Sequence, residues 1–223
     1  MSRVAIISAH PDDEILGAGG TLLKHKENGD KILWIIVTGV MIKHGFSKER
    51  VDSRDKEIKK VAKEMGFSKT IQLNYPTAKL SSDSLNNLIP QMSKLFLDFK
   101  PEIIYCPNRS DIHSDHRIVF DAVWACSKPF RYPSIKKVIM YECISETEFA
   151  PSLSDKAFIP NYFVDISKYF TKKSDVMKVY KSEIYNHPFP RSLRNIEALA
   201  TFRGATIGVE YAEAFQLLKL IDK

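Results

Sequence analysis

Three cysteines in 223 residues, Cys106, Cys126 and Cys143, are too few, too scattered and odd in number for a disulfide framework. None has the paired spacing of a zinc ribbon. Cys106 and Cys143 sit in or beside apolar runs, so they read as buried free thiols of a reducing compartment. No apolar run is long enough to cross a bilayer, and the longest, Ile32 to Val37, has strand length. The opening Met1-Ser2-Arg3-Val4-Ala5-Ile6-Ile7 is interrupted by His10-Pro11-Asp12-Asp13-Glu14 too soon for a signal peptide. A cytoplasmic protein is expected, acting at the inner face of the membrane if its substrate is lipid-carried. Basic stretches interleaved with aromatics are also missing. The net charge of +6 is spread over short pairs such as Lys59-Lys60, Lys136-Lys137 and Lys172-Lys173. That pattern argues against nucleic acid and leaves an anionic small substrate as the partner the charge would serve. Gly17, Gly19 and Gly20 lack the dinucleotide-loop spacing and better suit close helix packing or substrate approach. Repeats and low-complexity tracts are absent.

What is present alternates between two periods. Short β-rich runs occur at Arg3 to Ala9, Lys31 to Thr38, Thr70 to Leu73, Glu102 to Cys106 and Lys136 to Glu142. Helical spacing separates them at Ile15 to Asn28, Ser47 to Met65, Asp83 to Phe99 and Asp115 to Cys126. This order predicts βαβ units around a mainly parallel sheet, a Rossmann-like α/β three-layer sandwich forming one domain over residues 1–223. Ser145 to Pro160 reads as a long surface loop, a candidate active-site wall. Beyond it the pattern predicts a strand at Tyr162 to Ile166, a helix at Ser167 to Tyr185, a turn at Pro188 and Pro190, and helices at Leu193 to Arg203 and Tyr211 to Leu220.

Two motifs carry chemistry. Ala9-His10-Pro11-Asp12-Asp13-Glu14 directly follows the first strand, and Asp111-Ile112-His113-Ser114-Asp115-His116 follows the fourth. Both lie at carboxyl ends of strands, where open α/β sheets bind ligands. Zinc takes imidazole nitrogen and carboxylate oxygen, and a catalytic site uses three protein ligands with one open position. An adjacent unbound carboxylate can take a proton from water, and a further histidine can act as acid or steady an oxyanion. The paired aspartates beside His10, with two more histidines three apart, supply every part. Each motif has a plainer use: Asp12-Asp13 would also cap a helix, and a lone His-x-x-His arises by chance. His25 is placed on a polar helix face, His44 in a loop and His187 in a turn.

These residues resemble the LmbE-like or PIG-L deacetylase family. The likeness rests on His10 to Glu14 with Leu16-Gly17-Ala18-Gly19-Gly20-Thr21, and on Asp111 through His116. It extends to Arg54 and Glu57 of an Arg-x-x-Glu helix, and to Arg203-Gly204, Gly208 and Tyr211-Ala212-Glu213-Ala214-Phe215 near the end. The resemblance implies a single zinc ion held by His10, Asp13 and His116. It implies Asp12 as general base, His113 as electrostatic or acidic partner, Asp115 as the residue orienting His113, and Arg54 as a substrate contact. Some members carry a Tyr two residues before the position of His113. Here that position is Asp111, which leaves a tyrosine oxyanion role without its residue. The implied reaction is removal of an acetyl group from an N-acetylated amino sugar, by an enzyme whose relatives often form homo-oligomers. The competing readings are a phosphoesterase, whose sites often hold two metals and more carboxylates, and a non-catalytic sugar- or metal-binding protein. Specificity is assigned to Met41 to Lys48 and Ser145 to Pro160, with Phe46, Phe149 and Phe158 as candidate sugar-stacking aromatics.

Overall fold

Val4 to Ile7 and Ile32 to Val37 are apolar at every position, and a strand apolar on both faces needs cover on both. The computed structural model, which describes residues 1–222, supplies that cover. In chain order the elements are β1 (Arg3–Ser8), α1 (Asp13–Glu27), β2 (Lys31–Gly39), α2 (Lys48–Met65), β3 (Lys69–Pro76), α3 (Leu85–Phe99), β4 (Ile103–Pro107) and α4 (Ser114–Ala125). They continue with β5 (Lys137–Tyr141), β6 (Tyr162–Asp165), α5 (Phe170–Met177), α6 (Leu193–Ile207) and β7 (Ala212–Leu220). Alternate strand residues feed two separate cores. Val4, Ile6, Ile32 and Trp34 pack with Ile15 and Leu22 of α1, Ile58 and Val61 of α2, Val176 of α5 and Ile196 of α6. Ala5, Ile7, Leu33 and Ile35 pack with Leu88 and Phe96 of α3 and Val119 and Val123 of α4. The result is the expected three-layer α/β sandwich.

The sheet order is β3-β2-β1-β4-β5-β7-β6. The first five strands run parallel. β7 lies antiparallel between β5 and β6. β1 continues to β2 on one side and is flanked by β4 on the other, so the chain reverses its winding there. A crevice opens at the carboxyl ends of those two strands. The loops after β1 and β4 are the ones that carry the two motifs.

Three expectations fail. Tyr211 to Leu220, read as a helix, is strand β7. Its Ala, Glu, Leu and Lys residues favour helix intrinsically, but pairing with β5 and β6 overrides that weak preference. The helix expected over Ser167 to Tyr185 is a 3-10 turn at Ser167–Tyr169 followed by α5, which ends at Met177. His25 does not face solvent. It bonds Asp30 at 2.7 Å and the Tyr105 hydroxyl at 3.0 Å, at the far end of the sheet from the motifs.

Helix α1 sits close against the sheet because of its glycines. A Cβ on Gly17 would stand 2.3 Å from Cδ2 of Tyr141, and one on Gly20 would stand 2.7 Å from Ile166. Tyr141 is pinned, since its hydroxyl donates to the Ile7 carbonyl at 2.9 Å. Overpacking costs up to about 3 kcal/mol, whereas replacing a helical glycine by alanine returns only about 1 kcal/mol. Gly17→Ala should therefore lower unfolding stability, measured as a fall in the urea midpoint. An unchanged midpoint would show slack where the structure has contact.

Candidate metal centre and active site

The loop after β1 turns sharply into α1. Asp12 takes φ 134°, a region that L-residues enter only when their surroundings force it. Glu14 provides part of that force. One of its oxygens accepts from the Asp12 amide at 3.1 Å and from the Ser8 hydroxyl at 3.3 Å, and the other accepts from the Tyr180 hydroxyl at 2.7 Å. Burial pushes Glu14 up to about 7, against those hydrogen bonds. Arg54 braces the same loop. It donates to the Pro11 carbonyl at 3.3 Å and to Ser182 at 3.2 Å, and pairs with Glu183 and, at 3.5 Å, with Glu57. It is only 5% exposed, so it is no solvated helix residue, although it does line the cavity.

The strained turn directs its two aspartates differently. Asp13 accepts from the His10 amide at 2.8 Å, and its other oxygen lies 3.4 Å from His116 Nε2. Burial opposes its ionisation, but His116 and His10 outweigh burial and hold the carboxyl well below the usual range. The Asp12 carboxylate has no hydrogen-bond partner among the described residues and lines the cavity. Burial first, then the charges of Asp13 and Glu183, raise its proton affinity well above that of an ordinary aspartate, against a lowering by Arg191.

The loop after β4 brings in the remaining groups. His116 is fully buried. Its Nδ1 is 2.8 Å from Asp111, while its Nε2 has no hydrogen-bond partner. Burial disfavours its charged form, but Asp13 and Asp111 outweigh that and raise it well above an ordinary histidine. Asp111 is itself held by Asn108 at 2.8 Å and Thr147 at 2.7 Å. His10 Nε2 lies 3.0 Å from Asp115, and its Nδ1 lies on the Asp13 side at 3.9 Å. Each of these imidazoles thus has a carboxylate on one nitrogen, leaving the other turned toward Asp13. This is the arrangement of metal-binding histidines.

Two overlapping sets bring ligand atoms within 4.8 Å of one another: His10 with Asp13 and His116, and His10 with His113 and Asp115. The first fits a divalent metal better. It holds the buried, unpartnered Nε2 of His116, and its two imidazoles and one carboxylate suit zinc. In the second, Asp115 already accepts from the Ala78 amide at 2.7 Å, the Leu80 amide at 3.1 Å and His10.

The expected pairing of Asp115 with His113 is not what the structure contains. His113 caps α4, its Nδ1 accepting from the Asp115 amide at 3.1 Å. The Asp115 carboxylate lies 3.9 Å from that nitrogen and binds His10 instead. Because Nδ1 accepts a backbone N–H, the proton of the neutral ring belongs on Nε2. Burial, then the neighbouring His10, lowers the pKa of His113 to about 4, so the ring is neutral near pH 7.

A cavity of about 250 Å³ opens over these groups, with Phe46, Arg50, Arg191, Glu146 and Glu183 among its walls. A second cavity, about 660 Å³, lies beside it with Cys143 common to both. Phe158 lines that second space, whereas Phe149 is exposed. Sequence reasoning missed Asp111 as the partner of His116, and it missed Glu14, Glu183 and Arg191. Asp111 and Glu14 stand inside the two motifs and were within reach. Glu183 lies inside the segment misread as helix, beyond the end of α5, and Arg191 follows it.

A family model described as PIG-L, GlcNAc-PI de-N-acetylase, matches residues 5–127, more than half of the chain and both motifs. An uncharacterized deacetylase of Escherichia coli K12, YaiS, is 27% identical over 186 residues, covering 80% of this chain and 90% of its own. The N,N'-diacetylchitobiose deacetylase of Pyrococcus horikoshii superposes with a TM-score of 0.77 at 22% identity, over 98% of this chain and 84% of that one. A 4-carboxy-2-hydroxymuconate hydratase, GalB of Pseudomonas putida, superposes with a TM-score of 0.72 at 18% identity, over 100% and 98% of the two chains. The two superpositions are likenesses of fold, and they join enzymes of different reactions.

Proposed function

Because the chain belongs to the PIG-L family of GlcNAc-PI de-N-acetylases, we propose that it is a zinc-dependent hydrolase that removes the acetyl group from an N-acetylated amino sugar conjugate. His10, Asp13 and His116 would hold the ion. Bound there, zinc would acidify a water and polarise the acetyl carbonyl. Asp12 takes the water's proton, as its raised proton affinity suits it to do. His113 donates its Nε2 hydrogen to the oxygen of the acetyl group as negative charge develops there. The proton on Asp12 then passes to the departing amine. Asp111 and Asp115 orient His116 and His10 as positioning residues. Arg54 serves chiefly by holding the Pro11 carbonyl, and so the strained turn that presents Asp12. Three buried free cysteines suit a reducing cytoplasmic setting.

The observation that carries this reading is the unengaged Asp12 carboxylate beside the ligand set. A binding protein has no need of a buried carboxylate without a partner. A phosphoesterase working through two metals would need further carboxylates among the converging ligand atoms, and Glu146 and Glu183, though they line the cavity, belong to neither set. The test is acetate release from free, nucleotide-linked and lipid-linked N-acetylhexosamines, together with metal counting. One zinc per chain and acetate from at least one of these substrates is expected. Two metals per chain with phosphate release, or no acetate from any of them, would overturn the assignment.

A further inference from the structure

Three guanidinium groups meet at one wall of the active-site cavity. Arg50 and Arg54 stand one turn apart on α2, and Arg191 comes from the segment before α6. All three converge on Glu183. Arg50 Nη2 lies 3.4 Å from one of its oxygens, Arg54 pairs with the same oxygen, and Arg191 Nη2 lies 3.3 Å from the other. Glu57 adds a second carboxylate, 3.5 Å from Arg54. Two carboxylates therefore pair with three cations, and Asp12, which bonds to none of them, acts on Arg54 and Arg191 only through its charge. Arg191 is further tied to the Ser145 hydroxyl at 2.7 Å and the Glu183 carbonyl at 3.0 Å. Arg50 is the surplus. Its one side-chain hydrogen bond among the described residues is the long one to Glu183, and its side chain is 40% exposed where it lines the cavity. Asp12 and Glu146 line the same cavity, and neither bonds to Arg50 or Arg191.

Such a cluster is poorly balanced as a device for stability. Like charges four residues apart weaken a helix, and a surface ion pair at 3.4 Å returns little. It is well balanced as half of a recognition site, because guanidinium groups bind phosphate and carboxylate through charge-assisted hydrogen bonds. We propose that Arg50, with Arg191 behind it, recognises an anionic oxygen group attached to the substrate. The enzyme would then select N-acetylated sugars that carry a phosphate or carboxylate over neutral ones. This rests on the deacetylase reading above, whose metal and base lie in the same cavity.

The test compares three substrates on the zinc-loaded protein: N-acetylglucosamine 1-phosphate, its neutral 1-O-methyl glycoside, and a glycolate glycoside bearing a carboxylate. The wild type should show a kcat/KM for one or both charged substrates at least tenfold above that for the neutral one, the preference shrinking as salt rises. Arg50→Gln should reduce the ratio of charged to neutral kcat/KM by about 10- to 100-fold, mainly through KM, and Arg50→Lys should restore part of it. Which charged substrate loses more tells phosphate from carboxylate recognition. Calorimetric binding of the same three compounds to zinc-loaded Asp12→Asn protein gives a readout that needs no turnover. Acetate released from all three at similar rates, with the Arg50→Gln ratio unmoved, would overturn this inference and leave the deacetylase standing. No acetate from any of them, with charge-selective binding intact, would overturn the deacetylase instead. Absence of both would end both.

Discussion

Asp12→Asn should lower kcat by about 10²- to 10⁴-fold, the usual contribution of a positioned general base, while the protein keeps one equivalent of metal. Asparagine is the better probe than alanine here. The backbone at position 12 sits at φ 134°, which Asn tolerates more readily than most residues, so the turn survives the change. Metal content should survive as well, because the proposed ligands His10 and Asp13 lie on either side of the substituted residue. The same substitution has an opposite effect on stability. In the metal-free protein, burial raises the Asp12 pKa above its ordinary value of 3.8. A raised folded-state value means that the fold favours the protonated acid. Stability associated with that group is therefore full below about pH 4 and is lost as pH climbs through the folded value. Asparagine carries no such penalty. Metal-free Asp12→Asn should melt above the metal-free wild type at pH 8, with the gap closing toward pH 4. Retention of kcat within a few fold would remove Asp12 from the base role, whatever the melting curves show.

His116→Ala should empty the metal site and reduce turnover to background. It removes the proposed ligand whose Nε2 is buried without a partner. It also strands Asp111, a fully buried carboxylate that loses the imidazole 2.8 Å away. Removing one partner of a buried pair costs about 3–5 kcal/mol. Asn108 and Thr147 still serve the other oxygen of Asp111, so the loss should fall near the lower figure. Adding Asp111→Asn should recover part of it, which separates the stranded charge from the lost metal. Elemental analysis decides between the two ligand sets. Zinc absent from His116→Ala and present in His113→Ala assigns the ion to His10, Asp13 and His116. The reverse pattern would assign it to His10, His113 and Asp115.

Much of the fold is legible in the sequence. The alternation of short apolar runs with helical spacing dictated five parallel strands and four helices nearly to their ends, because each segment's period matched the face it had to bury. The two motifs were legible for a related reason: metal chemistry needs particular side chains, and both clusters stood directly after a strand. The last third resisted reading. Residues 212–220 have helical propensity, and only neighbours distant in sequence, β5 and β6, make them a strand. The shortened α5 hid the return of Glu183 and Arg191 to the cavity.

Residue types and their spacing were enough to identify which side chains could take part in the chemistry. Partnership was decided in space. Asp115 is two residues from His113, yet it holds His10, because capping α4 folds the His113 ring over the Asp115 amide and turns the carboxylate away. Sequence proximity sets which groups can be neighbours along the backbone. Direction of approach, on which a hydrogen bond or a metal ligand depends, is set by how the loops after β1 and β4 converge at the point where the sheet reverses its winding.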